Sequence, residues 1–144
     1  GCGWIFMHTG GKNSNESNCY CNGVVADVLD FFSNARKASL DFLISEEQLC
    51  FDCGKKKKKS RDDDLELLSQ CSLLSDEYLL LVGVSRKRII GLLTGEENPK
   101  ERVCGSIAAA VLLAQKGVAI LRVHDVKETV AAIKVSEAIK RGVL

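Results

Sequence analysis

The sequence predicts an α/β fold with a parallel sheet, because four short apolar stretches of strand length alternate with stretches of helical periodicity. Strands that are joined through helices lie parallel and cross over in a right-handed sense. A polar or charged cluster follows each predicted strand, at the place where βα loops carry binding residues. We therefore expect residues 1–144 to form one (βα)₄ domain with its candidate site at the carboxyl edge of the sheet.

The predicted strands are four short apolar stretches that end at polar residues. They are expected at residues 4–7, 48–51, 79–84 and 118–123. The first and third are apolar almost throughout, which is typical of strands that are covered on both faces. We therefore expect these two strands to be buried.

Amphipathic helices are predicted between and after the strands, because apolar residues recur there at spacings of three and four. The acidic residues 62–64 suit the start of the second helix, where negative charge favours the helix dipole. Gly117 is a good stop for the fourth helix, and the last helix is expected to end near residues 141–142. The expected apolar faces are Val25, Val28, Leu29 and Phe32; Leu67, Cys71 and Leu74; Val103, Ile107, Val111 and Ala114; and Val126, Val130 and Ile133.

Composition argues against several classes of function. The net charge of +1 gives the whole chain no general attraction for nucleic acid or an anionic membrane, and no apolar run approaches the roughly 20 residues that span a bilayer. The seven cysteines are odd in number and irregularly spaced, which favours a reducing compartment such as the cytoplasm. Cys50 and Cys53 have redox-motif spacing in an unsuitable strand-like segment, and a zinc site would need two well-spaced pairs.

One strongly basic run interrupts the even charge balance. Residues 55–61 are five lysines, a serine and an arginine, a pattern that serves nuclear targeting or nucleic-acid binding in other proteins. The three aspartates at 62–64 offset part of that charge, and no aromatic residue is interleaved for base stacking. Nucleic-acid binding is therefore a rival hypothesis that the sequence disfavours, and the role of Lys55 to Lys59 stays open.

The first candidate site cluster follows the third predicted strand. Ser85, Arg86, Lys87 and Arg88 come directly after it, and a helix is expected to begin near Arg86. Positive charge concentrated in a βα loop suggests an anionic ligand. For this stretch taken alone, a solvated basic turn is the alternative.

The second cluster follows the fourth predicted strand. Arg122 and His124 alternate along an extended chain, so both side chains can project to one side. A guanidinium beside an imidazole suits phosphate oxygens, and Asp125 is placed to cap the helix that follows. Two such clusters at strand ends predict an anion site.

Three segments together resemble dihydropteroate synthase. They are residues 85–87 (Ser-Arg-Lys), 105–109 (Gly-Ser-Ile-Ala-Ala) and 122–126 (Arg-Val-His-Asp-Val). Met7-His8 and Asp52-Cys53-Gly54 resemble two further motifs of this family, in the same order along the chain. The resemblance is strong over residues 79–139 and looser elsewhere. It implies the last four βα units of the family's TIM (β/α)₈ barrel, which needs about 250 residues when complete.

The resemblance implies a transferase of folate biosynthesis. Enzymes of this family condense 6-hydroxymethyl-7,8-dihydropterin diphosphate with 4-aminobenzoate, giving 7,8-dihydropteroate and diphosphate. The family also implies Mg²⁺ as a companion of the diphosphate, while no metal-ligating side chain is predicted in this chain. Both substrates are small molecules, so neither a membrane nor nucleic acid is expected as a partner.

On the pterin side, the resemblance implies roles for four residues. Asp52 would bind the pterin edge, and Lys87 would donate to the pterin and stabilise its developing charge, so these two are the expected catalytic residues. Met7 and His8 would help to line the pocket floor. For His8, a hydrogen-bonded scaffold role is the stronger alternative, and Asp52 could instead cap the loop that follows it.

For the remaining groups, the resemblance implies two anion-binding sets. Ser85, Arg86 and the backbone of Arg88, at the start of a helix, would help to hold the aminobenzoate end. Arg122 and His124 would bind the diphosphate, the multiply charged leaving group.

The sequence departs from the family pattern in several places. Cys53 replaces a proline, the lysines at 55–59 replace a glycine-rich loop whose aromatic residue would fall at Lys57, and the proline usual after Gly11 is missing. The first half of the barrel has no counterpart in these 144 residues. We therefore expect the isolated chain to be a poor catalyst, with an amino-terminal half or a second copy in a homodimer as its partner. The alternative is a catalytically inactive half-barrel that acts as a binding or assembly module.

Overall fold

A computed structural model describes residues 2–9, 22–54 and 61–142 and contains one sheet of four parallel strands in the order β1-β2-β3-β4. The strands are β1 (Trp4–Met7), β2 (Leu49–Asp52), β3 (Leu80–Val82) and β4 (Ile120–Leu121). Each strand pairs with the next in sequence, and helices make every described connection. The expected α/β class with parallel βα units is confirmed.

Six α-helices are described. They are α1 (Val24–Asp41), α2 (Arg61–Ser69), α3 (Cys71–Glu77), α4 (Arg88–Thr94), α5 (Val103–Gln115) and α6 (Val126–Arg141), with two 3₁₀ turns at Glu46–Gln48 and Pro99–Glu101. The single helix expected after residue 62 is wrong, because a turn at Gln70 divides it into α2 and α3. The division costs no burial of the expected face, since Leu67, Cys71 and Leu74 all lie in the core.

The expected burial of the first strand is wrong. Trp4, Ile5 and Met7 are 49%, 60% and 47% exposed, whereas β3 is buried as expected. The reason is position, because β1 has a strand neighbour on one side only among the described residues. Its partner β2 is buried along its whole length.

The fourth strand is shorter than expected, because the main-chain amides of Val118 and His124 bond outside the sheet. The Val118 N–H donates to the Leu113 carbonyl at the end of α5, at 3.1 Å. The His124 N–H donates to Ser85 Oγ at 3.3 Å instead of to a strand carbonyl. Ile120 and Leu121 are therefore the residues in register with β3. The Arg122 N–H still donates to the Val82 carbonyl of β3 at 3.0 Å, and from His124 the chain is tied to the loop after β3.

The core lies between the sheet and the helices that pack on it, and an aromatic group occupies one part of it. The ring centroids of Phe32 and Phe51 are 5.0 Å apart, and Tyr78 lies 4.9 Å from Phe51 and 5.3 Å from Phe32. These edge-to-face and tilted contacts are the geometries that aromatic rings prefer. They fasten α1 to β2 and so support the strand that ends at Asp52.

The last two helices bury faces that differ from the expected ones. In α5 the buried residues are Ser106, Ala110 and Leu113, while Val111 and Ala114 face the groove between α5 and α6, where they meet Ile133. In α6 only Thr129 is buried, and Val126 and Val130 are 58% and 45% exposed. Two of the three buried residues of α5, Ser106 and Ala110, are small.

No helix in the described part of the chain combines the length and apolarity needed to cross a membrane.

A strained turn after α1 gives a stability test. Leu43 has a φ of 59° and is 93% exposed, and the left-handed conformation costs an ordinary L-residue roughly 1–2 kcal/mol. Leu43→Gly removes that strain and little packing, while giving the unfolded chain more freedom. We expect the free energy of unfolding, measured by urea denaturation with circular dichroism, to rise by about 0.5–1 kcal/mol.

Leu40→Gly is the control, since Leu40 is a half-exposed leucine of the same segment that lies inside α1. There glycine should lower the free energy of unfolding by about 1 kcal/mol. If both variants lose stability alike, the turn at Leu43 is not strained.

Candidate functional site

An open cleft of about 500 Å³ lies at the carboxyl edge of the sheet, after β3 and β4. Parallel strands place all their carboxyl ends at one edge, which is why residues distant in sequence meet there. The residues that line the cleft are Gly83, Ser85, Arg86, Lys87, Pro99, Arg122, Val123 and His124. Five of the residues expected at the site therefore share one cleft.

Asp52 joins this group through Arg122. The Asp52 side chain is buried, and its Oδ1 accepts from the Gly54 N–H at 2.8 Å. Its Oδ2 lies 3.0 Å from Arg122 Nη1, close enough for an ion pair but not aligned as a hydrogen bond. The guanidinium crosses Gly83, where a Cβ would lie 3.0 Å from Arg122 Nε. The ends of β2 and β4 are thus connected across β3.

Met7 and His8 have different positions at the end of β1. Met7 is in register with Asp52 on the adjacent strand, so the two side chains share a face of the sheet. His8 is buried, its Nε2 lies 2.8 Å from Asp27 Oδ2, and its ring meets Phe31 edge-on. The main-chain N–H of His8 also donates to the Asp52 carbonyl at 2.9 Å. These contacts favour the scaffold interpretation of His8.

Gly54 is required by the close approach of two strand ends. Its φ is 70°, and a Cβ there would lie 1.9 Å from the His8 carbonyl oxygen. No side chain fits such a distance, so the glycine after Asp52 and Cys53 lets the loop turn back against β1. Asp52 is held at the start of this turn by the hydrogen bond from the Gly54 N–H.

Ser85 fixes the position of His124. The Ser85 hydroxyl is buried, accepts the His124 N–H at 3.3 Å and lies 3.1 Å from His124 Nδ1. A ring held through Nδ1 and its own main chain has a defined orientation. Ser85 therefore links the loop after β3 to the loop after β4.

Arg86 and Asp125 make the second link between these loops. Arg86 Nη2 donates to Asp125 Oδ1 at 2.5 Å and Nε donates to Oδ2 at 3.2 Å, a bidentate pair. The hydrogen bonds from the Arg86 guanidinium hold the pKa of the Asp125 carboxyl below its usual value. The expected side-chain cap is wrong, because Asp125 occupies the N-cap position of α6 but its carboxylate is taken by Arg86.

Lys87 and Arg88 mark the start of α4, later than expected. Arg86 has a φ of 57° and cannot belong to a right-handed helix, so α4 begins at Arg88 with Lys87 as its N-cap. Lys87 is half-buried and lines the cleft, whereas the Arg88 side chain is exposed.

Arg102 and Ser106, which were not among the site residues expected from the sequence, connect the loop after β3 to α5. Arg102 Nη1 donates to the Arg86 carbonyl at 3.2 Å, and the Arg86 N–H donates to Ser106 Oγ at 2.8 Å. The signal for Ser106 was present in the sequence, as a small polar residue on a helix with an otherwise apolar composition. Arg102 gave no comparable signal, because its partners are main-chain carbonyls.

The Cys50 thiol is poorly suited to the redox chemistry that its spacing from Cys53 suggested. Burial, followed by the charge of Asp52, raises the pKa of the Cys50 thiol, which disfavours thiolate chemistry.

Within residues 2–9, 22–54 and 61–142, no three His, Cys, Asp or Glu side chains form a group that could hold a metal ion. The lysines at 55–59 lie outside the described residues.

Comparison with known proteins gives consistent matches. Residues 1–124 match the model of a family described as Pterin binding enzyme. The dihydropteroate synthase of Escherichia coli strain K12 is 39% identical over 135 residues, which are 92% of this chain and 47% of that protein.

Solved structures agree. The structure of Xanthomonas albilineans dihydropteroate synthase with 4-aminobenzoic acid matches with a TM-score of 0.84 at 39% identity. The match covers 94% of this chain and 48% of the chain in that structure. The enzyme of that organism in complex with 7,8-dihydropteroate also has a TM-score of 0.84, at 39% identity, covering 94% of this chain and 51% of its own. The chain thus spans about half the length of these relatives, as expected for half of a TIM barrel.

The Arg86–Asp125 pair gives a pH prediction. Because the folded-state pKa of Asp125 is lowered, the pair's contribution to stability is present above the unfolded pKa and is lost as pH falls through the folded pKa. Arg86→Gln should raise the Asp125 pKa, measured from its carboxyl carbon shift in an NMR titration. Arg141→Gln, at an exposed pair with Glu137, is the control and should leave that titration unchanged. An unchanged Asp125 pKa in Arg86→Gln would contradict the assigned cause.

Proposed function

The chain belongs to the pterin binding enzyme family, and from that membership we propose that it supplies the carboxyl-terminal half of a dihydropteroate synthase active site. The observation that carries the proposal is the meeting of Asp52 with Arg122 at 3.0 Å, beside the cleft lined by Lys87 and His124. A buried carboxylate next to several cationic side chains suits a ligand with a polar-edged ring and an anionic tail.

The proposed reaction joins a pterin to 4-aminobenzoate. The amine nitrogen of the aminobenzoate forms a bond to the methylene carbon of the dihydropterin diphosphate while the bond from that carbon to the diphosphate oxygen breaks. Diphosphate leaves with the bonding electron pair, and the amine gives up one proton. Negative charge therefore builds on the leaving group, where cations and N–H donors are most effective.

We assign the pterin to the Asp52 end of the cleft. One Asp52 oxygen is fixed by the Gly54 N–H, and the other accepts no aligned hydrogen bond, so it can accept from pterin N–H groups. Lys87, which lines the cleft, donates to the pterin. Met7, in register with Asp52, lines the same face.

We assign the aminobenzoate carboxylate to the start of α4. The Ser85 hydroxyl and the backbone of Arg88 are the donors there. The Arg86 guanidinium already has a carboxylate partner in Asp125. Its role in this proposal is therefore to fix the loop that carries the donors.

We assign the diphosphate to Arg122 and His124. A guanidinium has five N–H donors, and the contact with Asp52 engages Nη1, which leaves donors for phosphate oxygens. His124 is held by Ser85 through Nδ1. Protonation of the imidazole adds a positive charge beside the leaving group.

Magnesium enters the proposal only with the diphosphate. The described residues offer no group of three metal ligands, and the carboxylates of Asp52 and Asp125 already have cationic partners. These residues therefore do not fit a protein-held Mg²⁺ site. The ion would be carried by the diphosphate oxygens.

The cytoplasm is the proposed cellular setting. Cys2, Cys50 and Cys104 carry free thiols, which supports work in that reducing compartment. The exposed edge of β1 supports a partner that completes the sheet, as an amino-terminal half-barrel would, and a homodimer is the other arrangement proposed.

Diphosphate binding tests the anion assignment. Arg122→Ala should weaken the binding of inorganic diphosphate about tenfold or more, the size of a lost charge-assisted hydrogen bond. His124→Ala should weaken the binding less than Arg122→Ala does, because the guanidinium has a permanent charge and more N–H donors than an imidazole. Calorimetry measures both, with Arg141→Ala as an exposed-arginine control. If wild type and Arg122→Ala bind alike, the diphosphate assignment is wrong.

Turnover tests the half-site. A polypeptide limited to residues 1–144 should form 7,8-dihydropteroate far more slowly than the roughly 1–10³ s⁻¹ of ordinary enzymes, because Asp52 and Lys87 supply only part of a pterin pocket. Product formation is followed by chromatography. Enzyme-like turnover would overturn this expectation, whereas failure to bind either a pterin or diphosphate would favour the inactive assembly module.

A further inference from the structure

The loop between β3 and α4 contains a strained residue of the candidate site. Arg86 has a φ of 57°, in the left-handed region that an arginine rarely adopts. Such a conformation is unfavourable for a residue with a Cβ and persists only where the surroundings determine it. Contacts from other elements must therefore hold Arg86, and they converge on both its backbone and its side chain.

The backbone of Arg86 is bonded on both sides by the start of α5. Its N–H donates to Ser106 Oγ at 2.8 Å, and its carbonyl accepts from Arg102 Nη1 at 3.2 Å. Ser106 is 3% exposed, and its hydroxyl donates to the Arg102 carbonyl at 2.6 Å. Arg102 and Ser106 thus form one unit, here called the loop clamp.

The Arg102 guanidinium is directed entirely at main-chain carbonyls. Nε donates to Glu96 at 2.9 Å and Nη2 to Glu97 at 2.6 Å, in addition to the bond to Arg86. A planar fork that spans two chain segments fixes their relative position, which a lysine ammonium cannot reproduce. Gly91 leaves the space, since a Cβ there would lie 2.5 Å from Arg102 Nε.

We propose that Arg102, together with Ser106, is a positioning residue for the candidate site. The loop clamp holds Arg86 in its left-handed conformation and so sets where Ser85 and Lys87 stand in the cleft. Arg102 and Ser106 are absent from the residues that line the cleft, so they act through the loop. The choice of ligand rests on the proposed function, whereas the clamp itself does not.

The first experiment compares arginine variants of the 144-residue chain with inorganic diphosphate as the probe. Arg102→Met should weaken diphosphate binding about tenfold, because a loop released from the left-handed conformation holds Ser85 and Lys87 in the binding arrangement only part of the time. Arg102→Lys should recover only part of the loss. Arg141→Met, an exposed arginine, should bind as wild type does. A folded Arg102→Met with wild-type affinity would overturn the positioning role.

The second experiment reads the conformation directly and needs no ligand. The Cα and Cβ chemical shifts of Arg86 distinguish a left-handed from a right-handed or extended residue. In Arg102→Met and Ser106→Ala they should move away from left-handed values, and unchanged shifts in both variants would overturn the clamp. If wild type binds no diphosphate, the proposed function fails, and these shifts still decide the clamp.

A third experiment separates the backbone conformation of Arg86 from its charge. It tests the positioning role even if Arg102→Met fails to fold. Arg86→Asn and Arg86→Val both remove the guanidinium, but asparagine tolerates the left-handed region and valine does not. Arg86→Asn should therefore bind diphosphate about tenfold more tightly than Arg86→Val. Equal affinities would show that the conformation of Arg86 is irrelevant to the site.

Discussion

Parallel pairing of four very short strands is the constraint on which the site depends. Because all four strands run in one direction, every connection returns through helices, and every strand ends at the same edge. Asp52 and Arg122 end different strands with another between them, yet their side chains meet at 3.0 Å. The strands themselves pair over few residues, so contacts beyond the strand ends are needed to fix the loops at this edge.

Those contacts form two ties between the loops after β3 and β4. Ser85 holds His124, and Arg86 holds Asp125 with two charge-assisted hydrogen bonds. The loop clamp adds a third tie, from α5. The geometry of such an anion site depends on the polar network around it as much as on the cationic residues themselves. Each cationic side chain must be oriented before it can bind an anion selectively.

The sequence was sufficient for the class of fold, the order of the elements and the edge that carries the site, since these follow from periodicity and from polar residues at strand ends. It was insufficient where tertiary position decides. Trp4 to Met7 has the composition of a buried strand but lies at the edge of the sheet, and Asp125 has the spacing of a cap but pairs with Arg86. The role of Arg102 depends on main-chain carbonyls, which leave no trace in residue type.

The exposed first strand has a practical consequence for spectroscopy. Trp4 is the single tryptophan of the chain, and it is half-exposed on the strand at the edge of the described sheet. An indole emits at shorter wavelength in an apolar environment than in water, so its fluorescence reports whether another surface covers this strand. The molecule therefore carries its own optical probe of assembly, placed away from the cleft where ligands are proposed to bind.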